Sequence, residues 1–238
     1  MAKSSKKLKK IKKITVIIPA LNEQKAIKRV LKSIPSKKLR KMGYKTEIMV
    51  IDNGSKDKTK LLAMSNGARV IVQPVKGYGN AYKAGFANAD GDIIATGDAD
   101  LTYPFEDLPA FVSLLESRNL DFINTDRLTT LNPEAMHWTH QFGNWVLTTI
   151  CKILYPKFPF KDSQSGMWIF KRKIWDKLNV NASGMPFSQE LKIEAYKKGF
   201  KCEEIPITYR ARVGKVKLRG IKDAVGNTLH LFKKKIGG

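Results

Sequence analysis

Short apolar runs alternate with helical patterns through the first half of the chain. The runs are rich in β-branched residues, which is typical of buried parallel strands. They lie at residues 14–18, 47–51, 68–72 and 92–96. Helical spacing of apolar residues predicts helices in the intervals, at residues 23–34, 58–66 and 79–89. Strands that alternate with helices form βαβ units, so the pattern predicts an α/β fold with a mostly parallel sheet.

The second half of the chain is less regular. Its patterns predict short strands at residues 122–124, 168–170 and 202–209. Helices are predicted at residues 107–117, 142–155, 173–178, 189–198 and 223–234. Because no repeat or low-complexity linker interrupts the pattern, we expect one domain with a basic arm and a basic tail. The expected bounds are 1–13 for the arm, 14–220 for the domain and 221–238 for a basic amphipathic helix.

A polar or glycine-rich loop follows each of the four early strands. These loops lie at residues 19–23, 52–59, 76–80 and 98–102. In open α/β sheets, ligands bind beyond the carboxyl ends of the strands. The sequence therefore predicts a binding site where four loops meet at one edge of the sheet.

The last of these loops contains two carboxylates, Asp98 and Asp100, separated by Ala99. Both can face a hard cation, and Mg2+ or Mn2+ prefers oxygen ligands while keeping water or phosphate oxygens in its shell. The alternative is an ordinary loop tripeptide that caps a turn or helix. Its position directly after a buried strand favours the metal site.

Two further loops have binding chemistry. Asp52 ends the second strand and can accept a hydrogen bond from a ribose hydroxyl or a base N–H, whereas Asp57 is placed to cap the next helix. Lys76 and Gly77 begin a glycine-rich stretch whose backbone N–H groups could hold phosphate. The stretch lacks the Walker ending, and Pro19 follows the first strand without a dinucleotide-binding glycine pattern, which argues against an NAD enzyme.

The net charge of the 238-residue chain is +23, so polyanions are expected partners. Much of it lies at residues 3–13 and 222–235, which form either solvated tails or a patch for an anionic membrane surface. A nucleic-acid-binding protein is the alternative that charge alone suggests, but no helix-turn-helix, finger or RNA-stacking motif supports it. The two cysteines lack metal-ligand spacing and favour a reducing, cytoplasmic setting.

Membrane contact is a further expectation from the apolar pattern. The sequence has no apolar run long enough for a spanning helix, and the basic N-terminal segment is not followed by a secretory signal core. Residues 142–155 and 221–236 could each dock at a membrane interface as amphipathic helices. The alternatives are a core helix for the first segment and a surface helix for the second. We expect a peripheral protein at the inner face of the membrane.

Three segments together resemble a known family. Residues 16–23 have the sequence Val-Ile-Ile-Pro-Ala-Leu-Asn-Glu, residues 50–59 Val-Ile-Asp-Asn-Gly-Ser-Lys-Asp-Lys-Thr, and residues 98–100 Asp-Ala-Asp. The set resembles the family 2 glycosyltransferases of the GT-A fold. Segments 162–168, 189–190 and 205–217 are similar to its polyprenyl-phosphate branch, the dolichyl-phosphate mannose and glucose synthases.

This resemblance implies inverting transfer from a UDP- or GDP-sugar and assigns roles to residues. The nucleoside would be held by Pro19, Ala20, Leu21, Glu23 and Asp52. Asp98, Ala99 and Asp100 would hold the metal and diphosphate, with Arg127 near the phosphates. Arg212 and Lys217, in a segment that includes Arg210, would grip the diphosphate or the acceptor phosphate. The chain departs from the family pattern at Thr102 and Val216, so metal ligation by residue 102 and the identity of the donor stay open.

The acceptor determines whether a general base is needed. A polyprenyl phosphate is mostly ionised near neutral pH because its second pKa is about 6. A sugar hydroxyl needs a base, for which Asp162 is the first candidate and Glu190 the second. The structural alternatives are a turn or cap for Asp162 and a surface charge for Glu190. A soluble or polysaccharide acceptor and a non-catalytic nucleotide-sugar binder remain competing hypotheses.

Overall fold

A computed structural model describes residues 11–130, 132, 134–214 and 220–237, without the side chains of 220–222. Its strands are β1 Lys12–Ala20, β2 Tyr44–Asp52, β3 Arg69–Val72, β4 Ile93–Thr96, β5 Phe122–Asp126, β6 Trp168–Lys171 and β7 Cys202–Pro206. They form one sheet in the order β3-β2-β1-β4-β6-β5-β7. Only β6 runs antiparallel to its neighbours in this described sheet. The predicted α/β fold with a mostly parallel sheet is confirmed.

Eight α-helices and two short 3₁₀ segments connect the described strands. The helices are α1 Ile27–Ser33, α2 Ser36–Lys41, α3 Thr59–Ser65, α4 Tyr78–Asn88, α5 Leu108–Ser117, α6 Trp138–Leu154, α7 Phe187–Lys197 and α8 Gly220–Ile236. The 3₁₀ segments are Phe105–Asp107 and Arg172–Lys177. Helix α2 is absent from the prediction because its basic sequence buries only Leu39 and so has no apolar periodicity.

The side chains of β1 alternate between two cores, one on each face of the sheet. Val16 and Ile18 pack with α1, α3 and α5, whereas Ile17 packs with α4, α6, α7 and α8. This alternation follows from the two-residue repeat of a strand. None of the described helices combines the length and apolar content needed to cross a bilayer.

Candidate active site

The ends of β1, β2 and β4 lie side by side at one edge of the sheet. Ala20 pairs with Asp52, and Ile17 pairs with Thr96, two residues before Asp98. The loops after these strands therefore meet, as the strand pattern predicts. The edge contains both Asp52 and the acidic pair, although more than forty residues separate them along the chain.

Asp100 is buried and its two oxygens have different neighbours. Oδ1 accepts hydrogen bonds from the Thr102 backbone N–H at 3.1 Å and the Thr102 hydroxyl at 2.6 Å. Oδ2 lies 2.6 Å from a terminal nitrogen of Arg212 but has no neighbour in hydrogen-bonding geometry among the described residues. The two groups therefore form an ion pair without an aligned hydrogen bond. Thr102 orients Asp100 in this arrangement.

Asp98 lies beside Asp100 and is half-buried. Burial and the Asp100 carboxylate together raise the pKa of Asp98 to about 7, although Arg212 and Arg127 oppose the shift. Two nearby carboxylates in such surroundings are stabilised by an added cation. Arg212 supplies part of that positive charge in the structure.

The acidic pair fits a divalent metal that shares its shell with a substrate. Among the described residues, no group of three or more His, Cys, Asp or Glu side chains could form a protein cage for a metal. Mg2+, however, commonly takes only one or two carboxylates and completes its shell with waters and substrate phosphates. Oδ2 of Asp100, which among the described residues has an ion-pair neighbour but no hydrogen bond, is an oxygen ligand of the right chemistry.

A loop at residues 162–166, here called the 162–166 loop, reaches the same carboxylates from the other half of the sheet. The Gly166 N–H donates to the Tyr103 hydroxyl at 2.6 Å. A β-carbon added at Gly166 would overlap the Tyr78 hydroxyl and lie 3.6 Å from Oδ1 of Asp98. Glycine is therefore required at this position, because any side chain would collide with a neighbouring group.

The 162–166 loop also places Asp162 opposite Arg127. The Arg127 Nε donates to Oδ2 of Asp162 at 2.7 Å, and a terminal nitrogen donates to Oδ1 at 2.9 Å. Burial alone would raise the pKa of Asp162, but the Arg127 guanidinium outweighs burial and lowers it. The other face of Arg127 stacks on Tyr209, with its central carbon 5.3 Å from the ring centre. The guanidinium is thus held from two sides.

Asp52 has a buried Oδ1 that lacks a hydrogen-bond partner in the described structure. Its neighbour Asn53 accepts from the Gly77 N–H at 2.8 Å and donates to the carbonyls of Gln73 and Val75, each at 2.9 Å. Asn53 therefore fixes the glycine-rich loop, a role that sequence reasoning missed because Asn-Gly is also a common turn signal. Asp57 accepts from the Thr59 N–H at 2.9 Å in the turn before α3, whose N-cap residue is Lys58.

The glycine-rich loop is partly committed to internal contacts. Gly77 has a φ of +142°. A β-carbon on it would overlap the Ser183 carbonyl. The Asn80 N–H also donates to that carbonyl at 3.1 Å. Lys76 is exposed and its side chain passes over Gly54, so its ammonium group remains at the edge of the site.

The segment from Pro19 to Glu23 forms the side of the site that faces the 212–214 segment. Glu23 is buried and its N–H donates to the Thr59 hydroxyl at 2.7 Å. A β-carbon on Gly214 would lie 3.3 Å from Oε2 of Glu23, and the Val213 N–H donates to the Asp100 carbonyl at 3.0 Å. The 212–214 segment therefore closes over both acidic groups. Ala20 and Ala99 are buried, whereas Pro19 and Leu21 are partly exposed in the loops.

Two other candidate residues, Arg210 and Glu190, have different surroundings. Arg210 is exposed and pairs with Glu106. Glu190 accepts from the Ala182 N–H at 2.7 Å and contacts Lys234 of α8 at 3.1 Å. Burial would raise the pKa of Glu190, but contacts from His230, Ala182 and Lys234 lower it to about 2. Lys217 lies outside the described residues.

A buried lysine that was not predicted to belong to the site forms hydrogen bonds to the 162–166 loop. Lys192 of α7 donates to the carbonyls of Ser163 at 2.8 Å and Ser165 at 2.7 Å, and to the Ser188 hydroxyl at 2.9 Å. Burial lowers the pKa of Lys192 to about 7. No signal in the sequence reveals it, since lysine is rarely fully buried and α7 has charged residues throughout.

The sequence model described as glycosyl transferase family 2 matches residues 15–178, which contain the acidic pair, Asp52, Arg127 and Asp162. This chain belongs to glycosyl transferase family 2. It is therefore a glycosyltransferase, and the resemblance that its motifs indicate is confirmed.

Curated relatives of this glycosyltransferase include two proteins of Haloferax volcanii. The low-salt glycan biosynthesis hexosyltransferase Agl6 is 36% identical over 212 residues, which are 88% of this chain and 51% of that protein. The dolichyl-phosphate hexose transferase is 32% identical over 206 residues, which are 86% of each chain. The chain thus spans about half of the first relative and most of the second.

Solved structures share the fold of this glycosyltransferase. Glucosyl-3-phosphoglycerate synthase from Mycobacterium tuberculosis, crystallised with Mn2+, UDP and glucosyl-3-phosphoglycerate, has a TM-score of 0.77 at 23% identity. The match covers 95% of this chain and 80% of that one. At this identity the likeness establishes the common architecture.

Proposed function

We propose that this glycosyltransferase is a metal-dependent inverting hexosyltransferase. It moves a sugar from UDP or GDP to a polyprenyl phosphate, such as dolichyl phosphate, at the cytoplasmic face of a membrane. The observation that carries the proposal is the acidic pair of Asp98 and Asp100 with Arg212 and Arg127 beside it. The relative from Haloferax volcanii that is named dolichyl-phosphate hexose transferase supports the acceptor class.

For the sugar donor, the nucleoside is assigned to the side of the site that contains Asp52 and Glu23. Mg2+ or Mn2+ held by Asp98 and Asp100 would neutralise charge that develops on the leaving diphosphate. Arg127 is already oriented by Asp162, so its positive charge needs little reorganisation during the reaction. Arg212 adds a second positive charge directly beside Asp100. These side chains stabilise the leaving group.

On the acceptor side, a phosphate monoester is suited to the charge of the site. Its oxygen is already mostly ionised near neutral pH, since the second pKa is about 6. Asp162 is engaged by Arg127, and Glu190 by the Ala182 N–H and Lys234. An acceptor that needs no deprotonation leaves both carboxylates in these structural contacts.

The proposed membrane face is formed by α6 and α8, which pack together on one side of the sheet. Its members are large apolar side chains that point into solvent: Trp138, Phe142, Trp145 and Ile153 from α6, and Val225, Leu229, Phe232 and Ile236 from α8. Lys152, Lys233 and Lys235 are exposed on the same helices. An apolar face with aromatics and a basic rim is typical of a helix that lies in a membrane interface.

A transfer assay with separated phases tests this proposal. Radiolabelled UDP- and GDP-sugars are supplied with Mg2+ or Mn2+, with and without polyprenyl phosphate in vesicles. We expect label in the organic phase only when the lipid is present, and its loss in Asp100→Asn. Label in a water-soluble product with a hydroxyl acceptor would instead support the alternative, in which Asp162 takes the proton. No transfer to either acceptor would revive a binding role.

A further inference from the structure

Helix α8 has one buried stripe opposite its apolar outer face. Leu231 is fully buried in the core, and Asn227, one turn earlier, is buried as well. Leu229 is 65% exposed on the outer side. A buried amide is costly unless it is hydrogen-bonded, so the contacts of Asn227 indicate what α8 is fitted against.

Asn227 contacts the 162–166 loop through two glutamines. Its side-chain amide donates to the Gln164 carbonyl oxygen at 3.3 Å, and its backbone carbonyl accepts from Gln189 at 2.8 Å. Gln164 in turn donates to Gln189 at 3.0 Å. Gln164, Gln189 and Asn227 thus form a closed set, here called the amide bridge, to which Asn227 contributes its side-chain amide and its backbone carbonyl.

The amide bridge ends on the carboxylate that holds Arg127. The backbone N–H of Gln164 donates to Oδ1 of Asp162 at 3.1 Å, and the same oxygen accepts from Arg127 at 2.9 Å. The Gln164 side chain also donates to the Ser163 hydroxyl at 2.9 Å. Two consecutive contacts, from Asn227 to Gln164 and from Gln164 to Asp162, therefore connect α8 to the carboxylate that holds Arg127.

The opposite side of the 162–166 loop has a fixed support. Lys192 donates to its Ser163 and Ser165 carbonyls from α7. Trp168 Nε1 donates to the Ser165 carbonyl at 2.8 Å. The loop therefore lies between a rigid base and an α8 contact made through amides, whose hydrogen bonds depend on distance and angle.

We propose that Asn227 is a positioning residue that acts through Gln164 on Asp162 and Arg127. Seating of α8 against the membrane orients Arg127 for transfer, so that lipid contact and the active site are coupled. The inference rests on the proposed function for the identity of the lipid, but the amide bridge can be tested without it.

The central test uses Asn227→Ala, with Thr228→Ala as its matched control. The Thr228 hydroxyl donates to the Ala224 carbonyl inside α8 at 3.0 Å, and in the described part of the chain it forms no hydrogen bond with Gln164. We expect Asn227→Ala to lower kcat roughly two- to tenfold, the effect of one net hydrogen bond, while vesicle association and donor KM stay near wild type. Thr228→Ala keeps the wild-type kcat. An unchanged kcat in Asn227→Ala would overturn the proposal.

A double-mutant cycle identifies the route of the effect. Gln164→Met removes the amide while keeping the length of the side chain. If Asn227 acts through Gln164, then Asn227→Ala has no further effect on kcat in the Gln164→Met background. Additive losses would show an independent, merely structural role for Asn227.

Hydrogen exchange gives a readout that does not depend on turnover. In Asn227→Ala we expect faster exchange of amides in the 162–166 loop, with no change in β1. Unchanged loop exchange would overturn the coupling even if the protein proves active. Absence of lipid glycosylation in the wild type would instead refute the proposed acceptor, and loop exchange would still decide the role of Asn227.

Discussion

Arg127 and Asp162 form a two-point ion pair across the cleft, with contacts of 2.7 and 2.9 Å. A paired geometry of this kind fixes the plane of a guanidinium as well as its charge. Since Asp162 is buried beside Arg127, its main effect is to fix the orientation of the arginine, which we propose contacts the diphosphate. This geometry allows the role of Asp162 to be tested by substitution.

Replacing Asp162 by Asn keeps the shape of the side chain but removes the charge. We expect kcat for polyprenyl phosphate to fall at least about tenfold and the free energy of unfolding to fall by up to about 3–5 kcal/mol, because Arg127 remains buried without its partner. Arg127→Lys should also lose activity, since an ammonium cannot make both contacts. Wild-type kcat in folded Asp162→Asn would contradict this role.

The Arg212 ion pair with Asp100 predicts competition with a metal cation. Arg212→Met should strengthen Mn2+ binding to the nucleotide-free protein several-fold, because a positive charge 2.6 Å from Oδ2 of Asp100 is removed. Turnover should fall in the same variant. Electron paramagnetic resonance of unbound Mn2+ measures the affinity. Arg118→Met, a surface arginine paired with Glu203, is the control, and equal affinities in both variants would refute the competition.

The unpartnered oxygen of Asp52 predicts a nucleoside contact. Asp52→Asn should weaken UDP or GDP binding about ten- to hundredfold, the value of a hydrogen bond to a charged group, with little loss of thermal stability. Asp57→Asn is the matched control: the amide oxygen can still accept from the Thr59 N–H, so stability and nucleotide affinity should both stay near wild type. Calorimetric titration and melting curves separate the two effects. Normal nucleotide affinity in Asp52→Asn would exclude the contact.

Lys192 predicts a pH-dependent stability. Its pKa is lowered from 10.5 to about 7, so between these values the unfolded chain binds the proton that the folded protein has lost. Stability of the wild type relative to Lys192→Met should therefore rise with pH across this window, by at most about 1.4 kcal/mol per pH unit. Urea unfolding at several pH values measures it. Lys152→Met, at an exposed position on α6, is the control and should show no such trend. If the difference in unfolding free energy between the wild type and Lys192→Met does not change with pH, the lowered pKa is refuted.

The exposed apolar side chains of α6 predict that substitutions on this helix weaken vesicle binding more than substitutions elsewhere. Trp145 is 61% exposed there, and Leu61 is 64% exposed on α3, on the opposite face of the sheet. Trp145→Ser should weaken binding to anionic vesicles about tenfold or more, because a large apolar surface no longer enters the interface. Leu61→Ser should leave binding unchanged. Equal losses in a sedimentation assay would assign binding to the net charge alone.

Much of the fold follows from local sequence. The β-branched runs at residues 14–18 and 47–51 become β1 and β2 because strand preference and burial act over a few residues. The loops after them contain the motif residues, so the site edge and the acidic pair were predictable. The sequence also determines that residues 220–236 form a helix with apolar and basic faces.

Tertiary structure alone decided which charges meet. Arg127 and Asp162 lie 35 positions apart, and Glu190 meets Lys234 across two helices. No local pattern encodes such partners, since contact depends on how the sheet order and helix packing bring distant segments together. The same packing turns Asn227 inward and Leu229 outward on α8. The sequence alone therefore determined most helices and strands and the edge of the sheet that contains the site. The ion pairs, the buried Lys192 and the contacts from α8 to the 162–166 loop depend on long-range packing.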